Sequence, residues 1–288
     1  MLKRWGNRMN PYIEILRPGN VLMAMIAIVL VAIVGHTLSI PIILAMFAVL
    51  FEISAGNVIN DYFDYKIDMI NKPSRPIPSG KITPKTARNY AYGLFLAGTI
   101  CGALISILTQ NWIPFVIVLF SDFVLYVYAY KLKSTPLIGN LTVGFMTGLC
   151  FAFGGYSIGT PEIISTSIFL GFFAFVMTTA REITKDIEDM EGDKKEGAKT
   201  FPILYGTKIS AAITFILIIV DCALCPLLYF QHVFNIFYLG IIAIAVLIFI
   251  YSGILLVLNQ NVESAAKVSK FLKIGMLIAF VAFAIGSF

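Results

Sequence analysis

The sequence predicts an all-α fold, a polytopic membrane bundle of nine transmembrane helices with a cytoplasmic N-terminus and an internal pseudo-repeat. Three observations predict it. Of the 288 residues, 59% are hydrophobic and only 13% charged, and the mean hydropathy is +0.88, too apolar for an ordinary soluble domain. Nine runs approach or reach the roughly 20 apolar residues a spanning helix needs. All 21 lysines and arginines fall on one side when the loops are numbered outward from the N-terminus.

The runs, in order, are about Val21 to Leu38, Pro41 to Asn60, Tyr90 to Thr109, Trp112 to Tyr130, Leu137 to Ile158, Ile164 to Ala180, Ser210 to Phe230, Ile236 to Leu258 and Phe271 to Phe288. Stretches such as "IIAIAVLIFIYSGILLVL" are apolar on every face, whereas barrel strands alternate over about ten residues. The lead-in "MLKRWGNRMNPYIEILRPGN" is basic and partly amphipathic. It lacks the short apolar core and small-residue site of a cleavable signal, and nothing in it reads as removable. One domain is expected over residues 1–288.

The cations set the orientation. Lys3, Arg4, Arg8 and Arg17 precede the first run, and Lys66, Lys72, Arg75, Lys81, Lys85 and Arg88 lie between the second and third. Lys131 and Lys133 follow the fourth, six more lie between the sixth and seventh, and Lys267, Lys270 and Lys273 precede the ninth. By the positive-inside rule that side is cytoplasmic. The net charge of +5 therefore reads as membrane orientation, not nucleic-acid binding. Cys101, Cys150, Cys222 and Cys225 fall within the runs, and "DCALC" has redox-like spacing. No second pair or nearby histidine completes a site, so these read as buried apolar residues.

The external loops are short, and the two long cytoplasmic ones, at about 60–88 and 181–208, hold 10 of the 16 acids. Aligned from Asn60 and Lys185, they pair Asp61 with Asp186, Asp64 with Asp189 and Asp68 with Asp193, each 125 residues apart. A solvated loop has no reason to repeat its aspartate spacing, so this reads as a duplication. In a helix, Asn60, Asp64 and Asp68 fall along one stripe with Asp61 on its flank. Asp186, Asp189 and Asp193 form the matching stripe. Stacked carboxylates repel unless a cation sits among them, and two such stripes suit Mg²⁺, which takes one or two carboxylates while bridging to phosphates. No partner beyond substrate, metal and lipid is implied.

Basic residues beside the stripes suit phosphate oxygens. Lys72 and Arg75 lie on the proline-stiffened turn "NKPSRPIPSGK", where Arg75 offers a bidentate contact. "YVYAYKLK" supplies Lys131 and Lys133, together with Tyr126, Tyr128 and Tyr130 on opposing faces. Interfacial aromatics also serve as anchors. Glu52, Asp122 and Asp221 lie within apolar runs, where an acid is costly and a functional candidate; Glu52 and Asp122 are placed to line a cavity beneath the stripes.

With these motifs the chain resembles the UbiA-type intramembrane prenyltransferases over nearly its whole length. The family's Asn-Asp-x-x-Asp-x-x-x-Asp motif stands as Asn60, Asp61, Asp64 and Asp68, followed by an Arg-Pro at Arg75 and Pro76. Its second motif stands as Asp189 and Asp193, with Asp186 upstream. A Tyr and Lys pair closing the fourth span is also typical, here one of Tyr126, Tyr128 or Tyr130 with Lys131 or Lys133.

The resemblance implies that the acids hold Mg²⁺ against a polyprenyl diphosphate, whose C–O bond ionises to an allylic cation captured by an acceptor. It implies Asn60, Asp64, Tyr128 and Lys131 in catalysis, and Arg75, Lys133 and Tyr126 in substrate binding, to which the reading of the residues themselves adds Lys72 and Asp122. The loop wording is most similar to archaeal members that add a second geranylgeranyl group to geranylgeranylglyceryl phosphate. Members that prenylate 4-hydroxybenzoate or a naphthoate are the alternative. Transport fits less well, since the acids crowd one face and not the midplane.

Overall fold

The computed structural model describes residues 9–195 and 197–288, the Lys195 side chain excepted. Lys3, Arg4 and Arg8, counted above for orientation, lie outside the described residues, as does Glu196. Among the described residues the regular elements are all helical: α1 (Pro11–Glu14), α2 (Pro18–Val34), α3 (Ile40–Asn71), α4 (Pro84–Thr109), α5 (Ile113–Tyr130), α6 (Ile138–Ile158), α7 (Pro161–Lys195), α8 (Phe201–Tyr205), α9 (Thr207–Leu224), α10 (Leu227–Phe230), α11 (Ile236–Leu258) and α12 (Val262–Gly286), with a 3₁₀ turn at Leu132–Ser134.

Eight described helices are long and apolar enough to cross a membrane, α9 and α10 together making one of them. The first apolar run yields only the 17-residue α2, about 26 Å of helix against a hydrocarbon core of about 30 Å. It stops early because Gly35 follows Val34 and His36 takes a left-handed φ of 46°. The seventh run is split after Leu224 by a turn through Cys225 and Pro226. The ninth begins earlier than the apolar pattern indicates, because Asn261 caps Ser264 N at 2.8 Å, so Lys267, Lys270 and Lys273 ride on α12.

The chain divides into two compact units, one holding the residues up to Val29 with Leu38–Lys131, the other Leu30–Thr37 and Leu132–Phe288. In the first unit α3, α4 and α5 pack pairwise around Ala55, Ile59, Ala91 and Phe95. The turn after α3 is folded onto this core. Ile77 and Ile82 are buried in it, Ile82 N donates to the Pro76 carbonyl at 3.0 Å, and Ser79 N to that of Arg75 at 2.9 Å.

In the second unit α7 packs against α6, α9 and α12. Glycines let α6 and α7 meet backbone to backbone. A Cβ on either Gly148 or Gly171 would lie 2.5 Å from the other's carbonyl oxygen, the close approach typical of small-residue helix pairs in lipid. Outward faces stay apolar, with Leu96, Ile107, Ile216 and Leu247 all exposed.

The two longest helices carry the acids. α3 has 32 residues and α7 has 35, about 48 and 52 Å, well beyond one hydrocarbon thickness. The segments from Asn60 and from Arg181, read above as the starts of cytoplasmic loops, are therefore helical extensions of apolar helices. Such an extension fixes each aspartate's angle to its neighbours, which a loop does not.

Candidate active site

On α3, Asp61 and Asp68 are 3% and 4% exposed, a burial that carboxylates tolerate only when paired. Arg75 Nη1 lies 3.2 Å from Asp61 Oδ1 and also donates to Asp68 Oδ2. Arg17, at the start of α2 with φ 53°, donates through Nη2 to the same Asp61 oxygen. Two guanidinium groups thus balance two buried carboxylates. Asp64, half-buried, accepts from Asn60 Nδ2 at 3.0 Å, while the Asn60 Oδ1 is buried with no hydrogen-bond partner.

The grouping differs from the expected stripe of Asn60, Asp64 and Asp68. Seven residues make nearly two full turns, so Asp61 and Asp68 align more closely than residues four apart, and they share Arg75. Arg75 reaches them because the proline turn that bears it is pinned to the core through Ile77 and Ile82. Lys72, exposed, caps α3 with its backbone N–H on the Asp68 carbonyl.

On α5, Tyr126 and Tyr130 flank Phe63 of α3, with ring centroids 5.5 and 5.4 Å away. Tyr128 lies half-buried between them in sequence, on another face of α5. Lys131 is exposed at the C-cap of α5, and Lys133 is half-buried in the following 3₁₀ turn. Deeper in this unit, Asp122 Oδ2 accepts from Thr99 Oγ1 at 2.8 Å. Glu52 is 6% exposed with its carboxyl beside that of Asp122, and it fills the space a Cβ on Gly98 would need.

On α7, Asp186 is half-buried and accepts from Asn140 Nδ2 of α6 at 2.9 Å. Asp189 is exposed and Asp193 half-buried. Lys185 is engaged upstream, 3.1 Å from Glu182 Oε2, and Arg181 Nη1 lies 3.1 Å from Glu182 Oε1. Asp221 of α9 is buried with Oδ1 unpartnered. The four cysteines form no disulfide among the described residues, and Tyr238 Oη donates to the Cys225 carbonyl at 2.8 Å.

Sequence reading missed two participants. Arg17 was counted only as an orientation charge, and Asn140 carried no motif. Both reach their aspartates across more than 40 residues of chain, so no local spacing points to them.

Among the described residues, no three of His, Cys, Asp and Glu converge into a cage for an ion. The chemistry of the donors nonetheless fits a hard divalent cation. All are oxygens, the Asn60 carbonyl oxygen is buried without a donor, and the carboxylates of Asp61 and Asp68 already gather positive charge in the form of Arg75 and Arg17.

Residues 20–281 match the model of the UbiA prenyltransferase family. The chain belongs to that family. As a UbiA member it is an enzyme, a prenyltransferase. It is 69% identical over 280 residues to the digeranylgeranylglyceryl phosphate synthase of Methanobrevibacter smithii, across 97% of this chain and 99% of the relative. The synthase of the same name from Methanocaldococcus jannaschii is 40% identical over 97% of both chains.

A solved structure described as giving insight into digeranylgeranylglyceryl phosphate synthase in membranes matches with TM-score 0.83 at 40% identity, covering 96% of this chain and 97% of that one. A UbiA homologue of Archaeoglobus fulgidus bound to GPP and Mg²⁺ matches with TM-score 0.65 at 17% identity, covering 95% of this chain and 99% of its own. That second likeness is one of fold.

Proposed function

We propose that this UbiA enzyme transfers a geranylgeranyl group from geranylgeranyl diphosphate to geranylgeranylglyceryl phosphate, forming the second ether of an archaeal lipid, with Mg²⁺ as cofactor. The observation that carries this reading is the near full-length identity of 69% to a relative named digeranylgeranylglyceryl phosphate synthase. The enzyme works in the cell membrane, with α2 as a ninth span, the N-terminus inside and both acidic helix ends toward the cytoplasm.

Asp61, Asp64 and Asp68 on α3, and Asp186, Asp189 and Asp193 on α7, are the residues that hold Mg²⁺. Bound there, Mg²⁺ supplies Lewis-acid neutralisation of the charge that grows on the departing diphosphate. The chain's own groups do the rest. Arg75 and Lys72 bind phosphate oxygens, Arg75 as a planar fork able to take two of them, and Lys131 and Lys133 add charge from the end of α5.

As the C–O bond of the donor breaks, the allylic cation lies against electron-rich groups, for which the ring faces of Tyr126 and Tyr128 and the free carbonyl oxygen of Asn60 are suited. The glycerol hydroxyl oxygen of the acceptor forms the new C–O bond, and its proton passes to the diphosphate released by the donor. Asp122, held by Thr99, helps shape the apolar space below. The protein's contribution is mainly positioning and exclusion of water.

The test is acceptor choice. Parallel incubations with labelled geranylgeranyl diphosphate and Mg²⁺ offer geranylgeranylglyceryl phosphate in one tube and 4-hydroxybenzoate in the other. Label in a doubly prenylated phospholipid supports the proposal. Label in a prenylated ring would move the enzyme to quinone synthesis.

A further inference from the structure

The acidic end of α3 carries its own amide donor, Asn60, which holds the Asp64 carboxylate at 3.0 Å. At the offset of 125 residues that pairs the aspartates, Asn60 corresponds to Lys185. Lys185 is occupied elsewhere, with Nζ 3.2 and 3.1 Å from the two oxygens of Glu182. The acidic end of α7 obtains its amide from another helix. Asn140, only 7% exposed in the first turn of α6, donates Nδ2 to Asp186 Oδ2 at 2.9 Å. The acid it holds is the first of its stripe, whereas Asn60 holds the second acid of its own.

The pairing is built into the helix contact. Gly144 and Gly148 follow Asn140 at intervals of four residues on one face of α6. A Cβ on Gly144 would lie 2.7 Å from the Phe175 carbonyl oxygen, and one on Gly148 2.5 Å from that of Gly171. The bare backbones fix the register of α6 on α7, and that register seats Asn140 against Asp186. A carboxylate has lone pairs to spare; one amide on Oδ2 fixes its rotation and leaves Oδ1 for another partner.

We propose that Asn140 is a positioning residue for the second acidic motif, its amide holding the Asp186 carboxylate in the orientation that receives a divalent ion. This rests on the reading of Asp186, Asp189 and Asp193 as metal ligands. Partners behind a metal ligand are commonly worth about 10- to 100-fold in metal affinity.

The experiment titrates Mn²⁺ into the full-length chain in detergent without substrate, reading free ion by electron paramagnetic resonance. The variants are Asn140→Leu, close to asparagine in shape, Asp189→Asn, Asp186→Asn and the double variant Asn140→Leu with Asp186→Asn. The expected result is a loss of about tenfold in affinity for Asn140→Leu, a loss for Asp189→Asn, and no further loss when Asn140→Leu is added to Asp186→Asn. Full affinity in Asn140→Leu with a loss in Asp189→Asn overturns the positioning role and leaves the metal reading standing. Full affinity in both overturns both. An equal Asn140 effect in the Asp186→Asn background assigns the loss to packing and also overturns the proposal. Should Asn140→Leu not fold, Asn140→Ala removes the same amide without adding bulk and is read by the same outcomes.

Discussion

The Arg75 guanidinium and the Asp61 carboxylate stand 3.2 Å apart, through a nitrogen that also bonds Asp68. One side chain, carried on a proline turn, thus bridges two buried acids seven residues apart on α3, and Arg17 on Asp61 supplies the second positive charge. The proposed function assigns Mg²⁺ to these same carboxylates, so on that proposal arginine and metal are alternative answers to the same repulsion.

Replacing Arg75 by glutamine leaves Asp68 buried without its cation and Asp61 with Arg17 alone. Breaking a buried pair costs about 3 kcal/mol or more. The melting temperature in chelator is expected to fall by several degrees, and added Mg²⁺ is expected to recover part of it, because the ion restores positive charge. Equal melting of variant and parent in chelator would contradict the counter-charge role. A measurement by intrinsic fluorescence in detergent suffices.

Asp64→Asn is the matching test of the acids. Asparagine still accepts the Asn60 amide through its carbonyl oxygen, so α3 keeps its local bond and loses one charge. Turnover is expected to drop by about 100-fold or more, the equivalent of the several kcal/mol a metal site contributes to leaving-group stabilisation, with the melting temperature nearly unchanged. Retained turnover at saturating Mg²⁺ would remove Asp64 from the metal set.

Two other acids separate burial from function. Asp221 is 3% exposed with one oxygen unpartnered, and replacing such a group by an apolar one is often neutral or stabilising. Asp221→Leu is expected to melt at or above the parent temperature and to keep its activity. Asp61→Leu leaves Arg17 and Arg75 facing an apolar side chain, and is expected to lose about 3 kcal/mol together with activity. Denaturation curves and an activity assay on the same preparations check both.

The glycine contacts give a packing prediction. Gly148→Val forces a Cβ onto the Gly171 carbonyl 2.5 Å away, and overpacking of this kind costs about 1–3 kcal/mol. The yield of folded protein and the melting temperature both fall. Gly93→Ala on α4, where a Cβ meets nothing within 4 Å, is expected to be neutral or to stabilise by up to about 1 kcal/mol through helix propensity.

Much of the site was legible because helical spacing carries it. The aspartates of α3 and α7 lie within single helices borne by the apolar runs, although Asp61, expected on the flank of its stripe, shares Arg75 with Asp68. What escaped was set by contacts between distant segments. Arg17 and Asn140 reach Asp61 and Asp186 through the packing of other helices, which hydropathy does not encode. The acidic segments counted as loops between apolar runs continue the helices that bear them, because charge density marks exposure to water and not loss of helix. In α2, Gly35 and the left-handed His36 ended the helix before the apolar pattern did.

The central claim is metal-dependent transfer of a prenyl group to a lipid phosphate, and mass analysis of the product tests it most directly. The purified chain in bilayers is given geranylgeranyl diphosphate and geranylgeranylglyceryl phosphate, with Mg²⁺ or with chelator, beside Asp64→Asn. The account predicts a product heavier than the acceptor by one geranylgeranyl group, formed with Mg²⁺, lost in chelator and nearly lost in the variant. Both substrates recovered intact in Mg²⁺, or equal product in chelator, would contradict it.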